Sequence, residues 1–242
     1  MENDRSPLRL QDVSLGNRFQ PLSFSLSQAG IYALCGGNGA GKTSLFSVLT
    51  GINRPSSGRV YMKGVETDNQ SLRYRQQFSY MPDQLVFPKH LTGRETLKFF
   101  SGLIHEKDEK VQQVLSYVGL TDAMHQKVAY YSKGMQQRLN LAQCLMFDVP
   151  VYMMDEPTNG LDPYWSHRMK EMLIEQKEQG KAIIFSTHSL SLVEDIADDL
   201  LFLQNGKVLI NQPVSDIQEY LKGTMDLSTY VYRLLSDQAE RH

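Results

Sequence analysis

An α/β fold with a mostly parallel central sheet, joined by an antiparallel β subdomain and an inserted helical subdomain, is what this sequence predicts. Three observations carry that expectation. Short apolar runs alternate with stretches of helical period, which implies parallel strands linked by crossover helices. The run Ile31–Cys35 ends in the glycine-rich segment GGNGAGKT, Gly36 to Thr43. The apolar segment VYMMDEP, Val151 to Pro157, ends in two adjacent carboxylates, Asp155 and Glu156.

In chain order, Leu8–Leu15 and Leu22–Leu26 alternate in part between apolar and polar residues, as half-buried strands do. Ile31–Cys35 reads as a buried strand and Lys42–Thr50 as the helix that follows it. Strands at Arg59–Met62 and Phe78–Met81 flank a polar helical piece. Thr92 and Glu95 form a capping-box pattern that opens a helix through Leu103. Asp108–Val118 has helical spacing at Val111, Val114, Leu115 and Val118, and Ser132 caps a helix carrying Met135, Leu139, Ala142 and Leu145. A strand at Val149–Met154 returns to the sheet. Pro163 then starts a helix that runs to about Gln179 and is closed by Gly180. Ala182–Ser186 is a further buried strand. Leu200–Leu203 and Lys207–Ile210 around Asn205-Gly206 make a hairpin, because both turn residues tolerate positive φ. Helices at Val214–Leu221 and Leu227–Leu235 complete the chain. The expected organisation is one domain over 1–242: an α/β core at 1–83 and 149–211, a helical subdomain at 84–148 and a helical tail at 212–242.

Composition narrows the function classes. With 25 Lys and Arg against 27 Asp and Glu, a net charge of −2 lacks the basic excess of nucleic-acid binders. Cys35 and Cys144 have neither pairing nor metal-ligand spacing and read as reduced core residues of a cytosolic protein. The first residues, MENDRSPLRL, do not form a secretory signal, and no run approaches the ~18 apolar residues of a membrane span.

The two motifs specify the chemistry. GGNGAGKT fits the phosphate-loop pattern: glycines let successive N–H groups converge on phosphate oxygens, and the next helix adds its positive end. Gly36, Gly37, Asn38, Gly39, Ala40, Gly41, Lys42, Thr43 and Ser44 are therefore the expected nucleotide-binding residues. Lys42 neutralises the β- and γ-phosphates, and the Thr43 hydroxyl is a Mg²⁺ ligand. Asp155 is expected to hold Mg²⁺ through a water, and Glu156 to orient or deprotonate the attacking water. Together these features imply ATP binding and hydrolysis.

The order of the phosphate loop, YMPDQ (80–84), YSKGMQQR (131–138), MDEPTNGLDP (154–163) and STHS (186–189) resembles the ATP-binding subunit of an ABC transporter, over nearly the whole chain from Leu8 to about Asn211. YSKGMQQR is similar to the family signature LSGGQQQR. The resemblance implies a head-to-tail dimer in which Ser132 and the Gly134 amide of one chain meet the γ-phosphate held by Lys42 of the other. It implies that Asn159–Asp162 form the dimer-contact loop and that His188 senses the γ-phosphate and steadies Glu156. It further implies a separate integral-membrane subunit, a second ATPase subunit (identical or not), and a cytoplasmic protein peripheral on the inner face of the cell membrane. The short single-domain form, the YSKGM signature and an acidic residue in YMPDQ favour export. The helical segment expected from about Gln84 to Ser101, with Phe87, Phe99 and Phe100, would help to receive the membrane subunit.

Several positions depart from the family pattern. Gly37 stands where proline is common, Lys133 replaces the first signature glycine, and Met135 replaces glutamine. Asp83 occupies the usual glutamine position and is the favoured Mg²⁺-water contact, with Gln84 as the alternative. For the adenine, Phe19 and Arg18 are both candidates. A soluble mechanochemical ATPase without a membrane partner is the competing class; a phosphate-transferring kinase fits the signature poorly.

Overall fold

Alternating and continuously apolar strands segregate onto two sheets in the computed structural model, which describes residues 6–26, 28–67, 72–103 and 107–239. The alternating strands β1 (Leu8–Ser14), β2 (Leu22–Leu26), β4 (Ser57–Met62) and β5 (Val65–Glu66) form an antiparallel sheet in the order β2-β1-β4-β5. In β1 a bulge between Leu10 and Val13, with Asp12 at φ 49°, shifts the register by one residue. Val13 rather than Asp12 therefore returns to the buried face beside Leu8 and Leu10. Gly58 sits opposite the bulge at φ +80°, where any Cβ would lie 2.3 Å from the Gln11 and Asp12 carbonyl oxygens.

The continuously buried strands build the central sheet. β3 (Gly30–Cys35), β6 (Phe78–Met81), β7 (Val151–Asp155), β8 (Ala182–Thr187), β9 (Asp199–Gln204) and β10 (Lys207–Pro213) lie in the order β10-β9-β3-β8-β7-β6. All neighbours are parallel except the β9–β10 hairpin. That hairpin turns through Asn205 and Gly206 at φ 47° and 73°, as the Asn-Gly pair predicts. β7 begins at Val151, two residues later than expected, because Pro150 has no N–H for the ladder.

Helix α1 (Lys42–Leu49) fills the space between the sheets. Its Leu45, Phe46, Val48 and Leu49 pack with Leu8, Leu10 and Val60 on one side and Tyr32, Leu34, Met153 and Ile184 on the other. A short helix α2 (Leu72–Arg75) precedes β6. The intervening side chains of the central strands, Ile31, Ala33, Cys35, Met154 and Phe185, meet the remaining helices. Each central strand thus serves two apolar layers, which is why these strands are apolar throughout.

Between β6 and β7 the chain forms α3 (Gly93–Leu103), α4 (Asp108–Tyr117) and α5 (Lys133–Leu145). The capping box is present: Glu95 N donates to Thr92 Oγ1 at 3.2 Å and Thr92 N to Glu95 Oε2 at 2.8 Å. α3 starts at Gly93, directly after the cap that the Thr92–Glu95 pattern predicts, and residues 84–92, the first part of the segment expected to be helical from about Gln84, run without helix. Pro88 and the Thr92 cap account for the late start, since proline disfavours helix in the residue before it. After β7 come α6 (Pro163–Glu178), α7 (Leu190–Ile196), α8 (Val214–Leu221) and α9 (Leu227–Ala239). Among the described residues no helix is long and apolar enough to cross a membrane.

Candidate nucleotide site

Four parallel strands, β3, β8, β7 and β6, end side by side, and the loops leaving their C-terminal ends converge. Ligands of parallel α/β sheets bind at such ends. The loop after β3 is a glycine cradle. Gly36, at φ +151°, leaves no room for a side chain, because a Cβ would lie 2.3 Å from the Leu203 carbonyl oxygen. Gly41, at φ +107°, starts α1 without any side-chain cap, so its first N–H groups are available to an anion. The loop borders a cavity of about 680 Å³ lined by Gly37 to Ser44, Asp83, Asp155, Glu156, Asn17, Arg18 and Asn205.

Lys42 is folded onto the loop: its Nζ donates to the Gly36 carbonyl at 2.6 Å and lies 3.8 Å from Glu156 Oε1. Thr43 Oγ1 donates to Asp155 Oδ2 at 3.0 Å, joining the start of α1 to the end of β7. The other oxygen of Asp155, a buried carboxylate, accepts from Ser186 Oγ on β8. Ser186 also receives the Glu156 amide at 2.9 Å. It therefore orients both adjacent acids, a role that the STHS motif does not advertise. Glu156 takes φ 50°, an uncommon value for a non-glycine residue, which turns the chain sharply after the strand. Its Oε2 lies 3.0 Å from His188 Nδ1.

The structure separates the expected residues into two groups. Gly37 to Ser44, Asp155, Glu156 and Asp83 share the cavity, and Gly36 and His188 touch members of that set through Lys42 and Glu156. Asp83, not Gln84, is on the cavity wall, and its Oδ1 accepts from Asn159 Nδ2 at 2.9 Å. Ser132, Gly134 and Asp162 lie outside the wall. Ser132 caps α5 by accepting from Met135 N at 3.2 Å, and Asp162 caps α6 by accepting from Trp165 N at 2.9 Å. Phe19 is buried beneath the loop, leaving Arg18 and the unanticipated Asn17 and Asn205 at the cavity rim. Arg18 Nη1 donates to Ser44 Oγ at 3.3 Å.

Two titratable side chains lie close to the site's acids. Burial pushes the Cys35 thiol up to about 12, with Lys42 opposing and Glu156 adding to the rise. Burial, followed by the charges of Asp155 and Asp83, also raises the Tyr80 hydroxyl. A cavity with an uncapped helix start and a lysine, facing Asp83, Asp155 and Glu156, suits a polyphosphate accompanied by a cation.

A sequence model of the ABC transporter family matches residues 19–159. The chain belongs to the ABC transporter family, as an ATP-binding subunit. It is 35% identical to the uncharacterized ABC transporter ATP-binding protein YdbJ of Bacillus subtilis, over 81% of this chain and 65% of the relative. It is 30% identical to the linearmycin resistance ATP-binding protein LnrL of the same organism, over 84% of this chain and 66% of the relative. The chain thus spans just under two thirds of the length of these two relatives. A solved structure of the ATP binding subunit of an ABC transporter superposes with a TM-score of 0.86 at 29% identity, covering 95% of this chain and 100% of that one. ABC ATP-binding domains bind and hydrolyse ATP, and the P-loop fold of the family is the one found here.

Proposed function

We propose that this chain is the ATP-hydrolysing subunit of an ABC exporter, and that it works as a dimer on a separate integral-membrane subunit. The observation that carries this reading is the pairing of Thr43 with Asp155 and of Glu156 with His188 beside a single glycine cradle. Thr43 and Asp155, joined by a hydrogen bond at 3.0 Å, would hold Mg²⁺, which when bound would offset phosphate charge. Lys42 leaves the Gly36 carbonyl to pair with the phosphates. Glu156 accepts a proton from the water that attacks the γ-phosphate, and His188 keeps that carboxylate in place. Asp83, on the cavity wall, would help to hold the cation. Arg18 provides the base contact, since Phe19 is buried in the core.

Ser132 and Gly134 serve the nucleotide of the second subunit, which fits their place at an exposed helix N-terminus outside this chain's own cavity. Phe99, 65% exposed, with exposed Val86 and Leu103, offers an apolar surface to the membrane subunit; Phe87 is buried and contributes to the core instead. Export is supported by the resistance function in the name of LnrL. On this reading the protein is cytoplasmic and peripheral to the membrane through its partner.

The test is capture of tagged Glu156→Gln from detergent-solubilised host membranes with Mg²⁺-ATP. A multi-span membrane protein in near-stoichiometric amount is the expected companion. Soluble partners alone, with ATPase activity of the unsubstituted chain established separately, would favour a mechanochemical ATPase.

A further inference from the structure

Helix α5 carries polar side chains where a core-facing helix is expected to be apolar. Lys133, Gln137 and Asn140 follow one another at i, i+4 and i+7 and so share a face, with Gln143 at its edge. Gln137, Asn140 and Gln143 are all buried. Gln137 Nε2 donates to the carbonyls of both Glu156 and Pro157 at 3.1 Å. Asn140 Nδ2 donates to the Pro82 carbonyl at 2.7 Å, and Gln143 Nε2 to the Tyr80 carbonyl at 2.9 Å. Lys133 Nζ reaches Asn159 Oδ1 at 3.4 Å, and Asn159 Nδ2 in turn donates to Asp83 Oδ1 at 2.9 Å. The aliphatic stem of Lys133 lies over Gly160, where any Cβ would come within 2.7 Å of its Cε.

We infer that Gln137, Asn140 and Asn159 are positioning residues: one rigid helix fixes the backbone of Glu156 and the location of Asp83 together, so that movement of α5 repositions both sides of the hydrolytic site at once. The inference rests on the roles proposed above for Glu156 and Asp83. The physical basis is that each buried amide gives its hydrogen bond to a loop carbonyl, and Gln137 to two at once; the Glu156 carbonyl also accepts from Asn159 N at 3.0 Å, so Gln137 and Asn159 hold it together. Glu156 sits in an uncommon conformation at φ 50°, and Asn159 bonds both its carbonyl and the Asp83 carboxylate, so the two loops are tied to each other as well as to α5. Because α5 begins at Ser132, occupancy at the helix start by a second subunit's nucleotide would be felt at this subunit's own Glu156 and Asp83.

The experiment compares Asn140→Leu, Gln137→Leu, Asn159→Ala and Glu156→Gln in the full chain. It measures kcat, the Mg²⁺ concentration for half-maximal rate, Mg²⁺-free binding of a fluorescent ATP analogue, and the urea midpoint. The expected result for Asn140→Leu and Asn159→Ala is about a tenfold rise in the Mg²⁺ requirement, the size of one lost hydrogen bond to a charged or buried group. Gln137→Leu should lower kcat by a similar factor and leave the Mg²⁺ requirement alone. Metal-free nucleotide affinity should hold within about twofold for all three. A role in stability alone would lower the urea midpoint without moving the Mg²⁺ requirement, and that outcome overturns the inference. Asn159 is half-buried in a loop, so its variant keeps the test open should Asn140→Leu not fold. If Glu156→Gln abolishes turnover while the α5 variants behave as wild type, the positioning role fails and the reading of the site stands. If Glu156→Gln turns over normally, the reading of the site itself fails.

Discussion

Glu156 Oε2 and His188 Nδ1 lie 3.0 Å apart, each held on the first residue beyond one of two hydrogen-bonded parallel strands, β7 and β8. Their environments differ: the Glu156 side chain is 16% exposed and that of His188 is 74% exposed. The carboxylate is fixed at the floor of the site while the imidazole remains accessible at its lip. With Nδ1 protonated, the ring donates to the carboxylate and keeps Nε2 as an acceptor. Glu156→Gln should therefore retain ATP binding and lose turnover by ~10²–10⁴-fold, measured as phosphate release beside fluorescent-nucleotide binding. His188→Ala should cost about 10–100-fold in kcat, the scale of a lost hydrogen bond to a charged group. Near-normal turnover in Glu156→Gln would remove the base from this position.

Lys42 has a different signature. Its ammonium sits on the Gly36 carbonyl and near Glu156, so it is already desolvated and within reach of the cradle. Lys42→Ala should weaken nucleotide binding itself, not only the chemical step. An equilibrium titration showing unchanged affinity with intact Mg²⁺ dependence would mean that the phosphates sit elsewhere.

The sequence exposes those parts of this molecule whose causes are local. The Thr92–Glu95 capping box, the Asn205-Gly206 turn, the Ser132 cap and the glycine cradle each depend on a few adjacent residues. What escapes is non-local or depends on backbone partners. Nothing near Asp12 announces the β1 bulge, and nothing in the spacing of Gln137 and Asn140 says that they bond carbonyls far away in the chain. Asn17, Arg18 and Asn205 come from two separate loops and meet only in the folded structure. The buried Phe19 shows the limit of reading an aromatic as a stacking residue: α1 and the β sheet needed its ring more than the cavity did.

Gly119 offers a test of packing. It closes α4 at φ +67°, and an added Cβ would fall 1.9 Å from Trp165 Cη2 and 3.0 Å from Arg138 Nη1. Arg138 spans this junction, donating to the Gly119 carbonyl at 2.7 Å and lying 3.9 Å above the Trp165 ring. Gly119→Ala combines left-handed strain with overpacking, and should destabilise by about 2–5 kcal/mol in urea unfolding. A change under about 0.5 kcal/mol would show that the Trp165 ring is free to move aside.

Asp199 makes a prediction about pH. Burial, then the nearby charges of Asp198 and Asp216, raises its carboxyl above the usual range. A raised carboxyl binds its proton more tightly in the folded state, so ionising it as pH rises lowers stability. Asp199→Asn removes that penalty. The variant should unfold at higher urea than wild type at neutral pH. The difference should shrink on acidification and vanish below about pH 4, where the unfolded carboxyl is also protonated. Parallel curves at every pH would assign the effect to packing, not charge.

The dimer proposal is open to complementation. If Ser132 acts on the nucleotide of the other subunit, a dimer has two sites, each using Lys42 from one chain and Ser132 from the other. Lys42→Ala disables the cradle and leaves the signature helix intact; Ser132→Arg does the reverse by placing bulk and a side chain without cap function at the start of α5. Each homodimer should then be inactive. In a mixed dimer both faults fall on one site, and the second site is assembled from an intact cradle and an intact helix. Co-refolded or co-expressed chains should regain activity, about one quarter of the wild-type rate for random pairing in a symmetric dimer with independent sites. Ser132 acting only as the cap of its own helix predicts a different pattern: Ser132→Arg would lose stability, keep its own ATPase in proportion to the folded fraction, and gain nothing from mixing. The rate of the mixture against the sum of its parts therefore separates a composite site from a self-contained one.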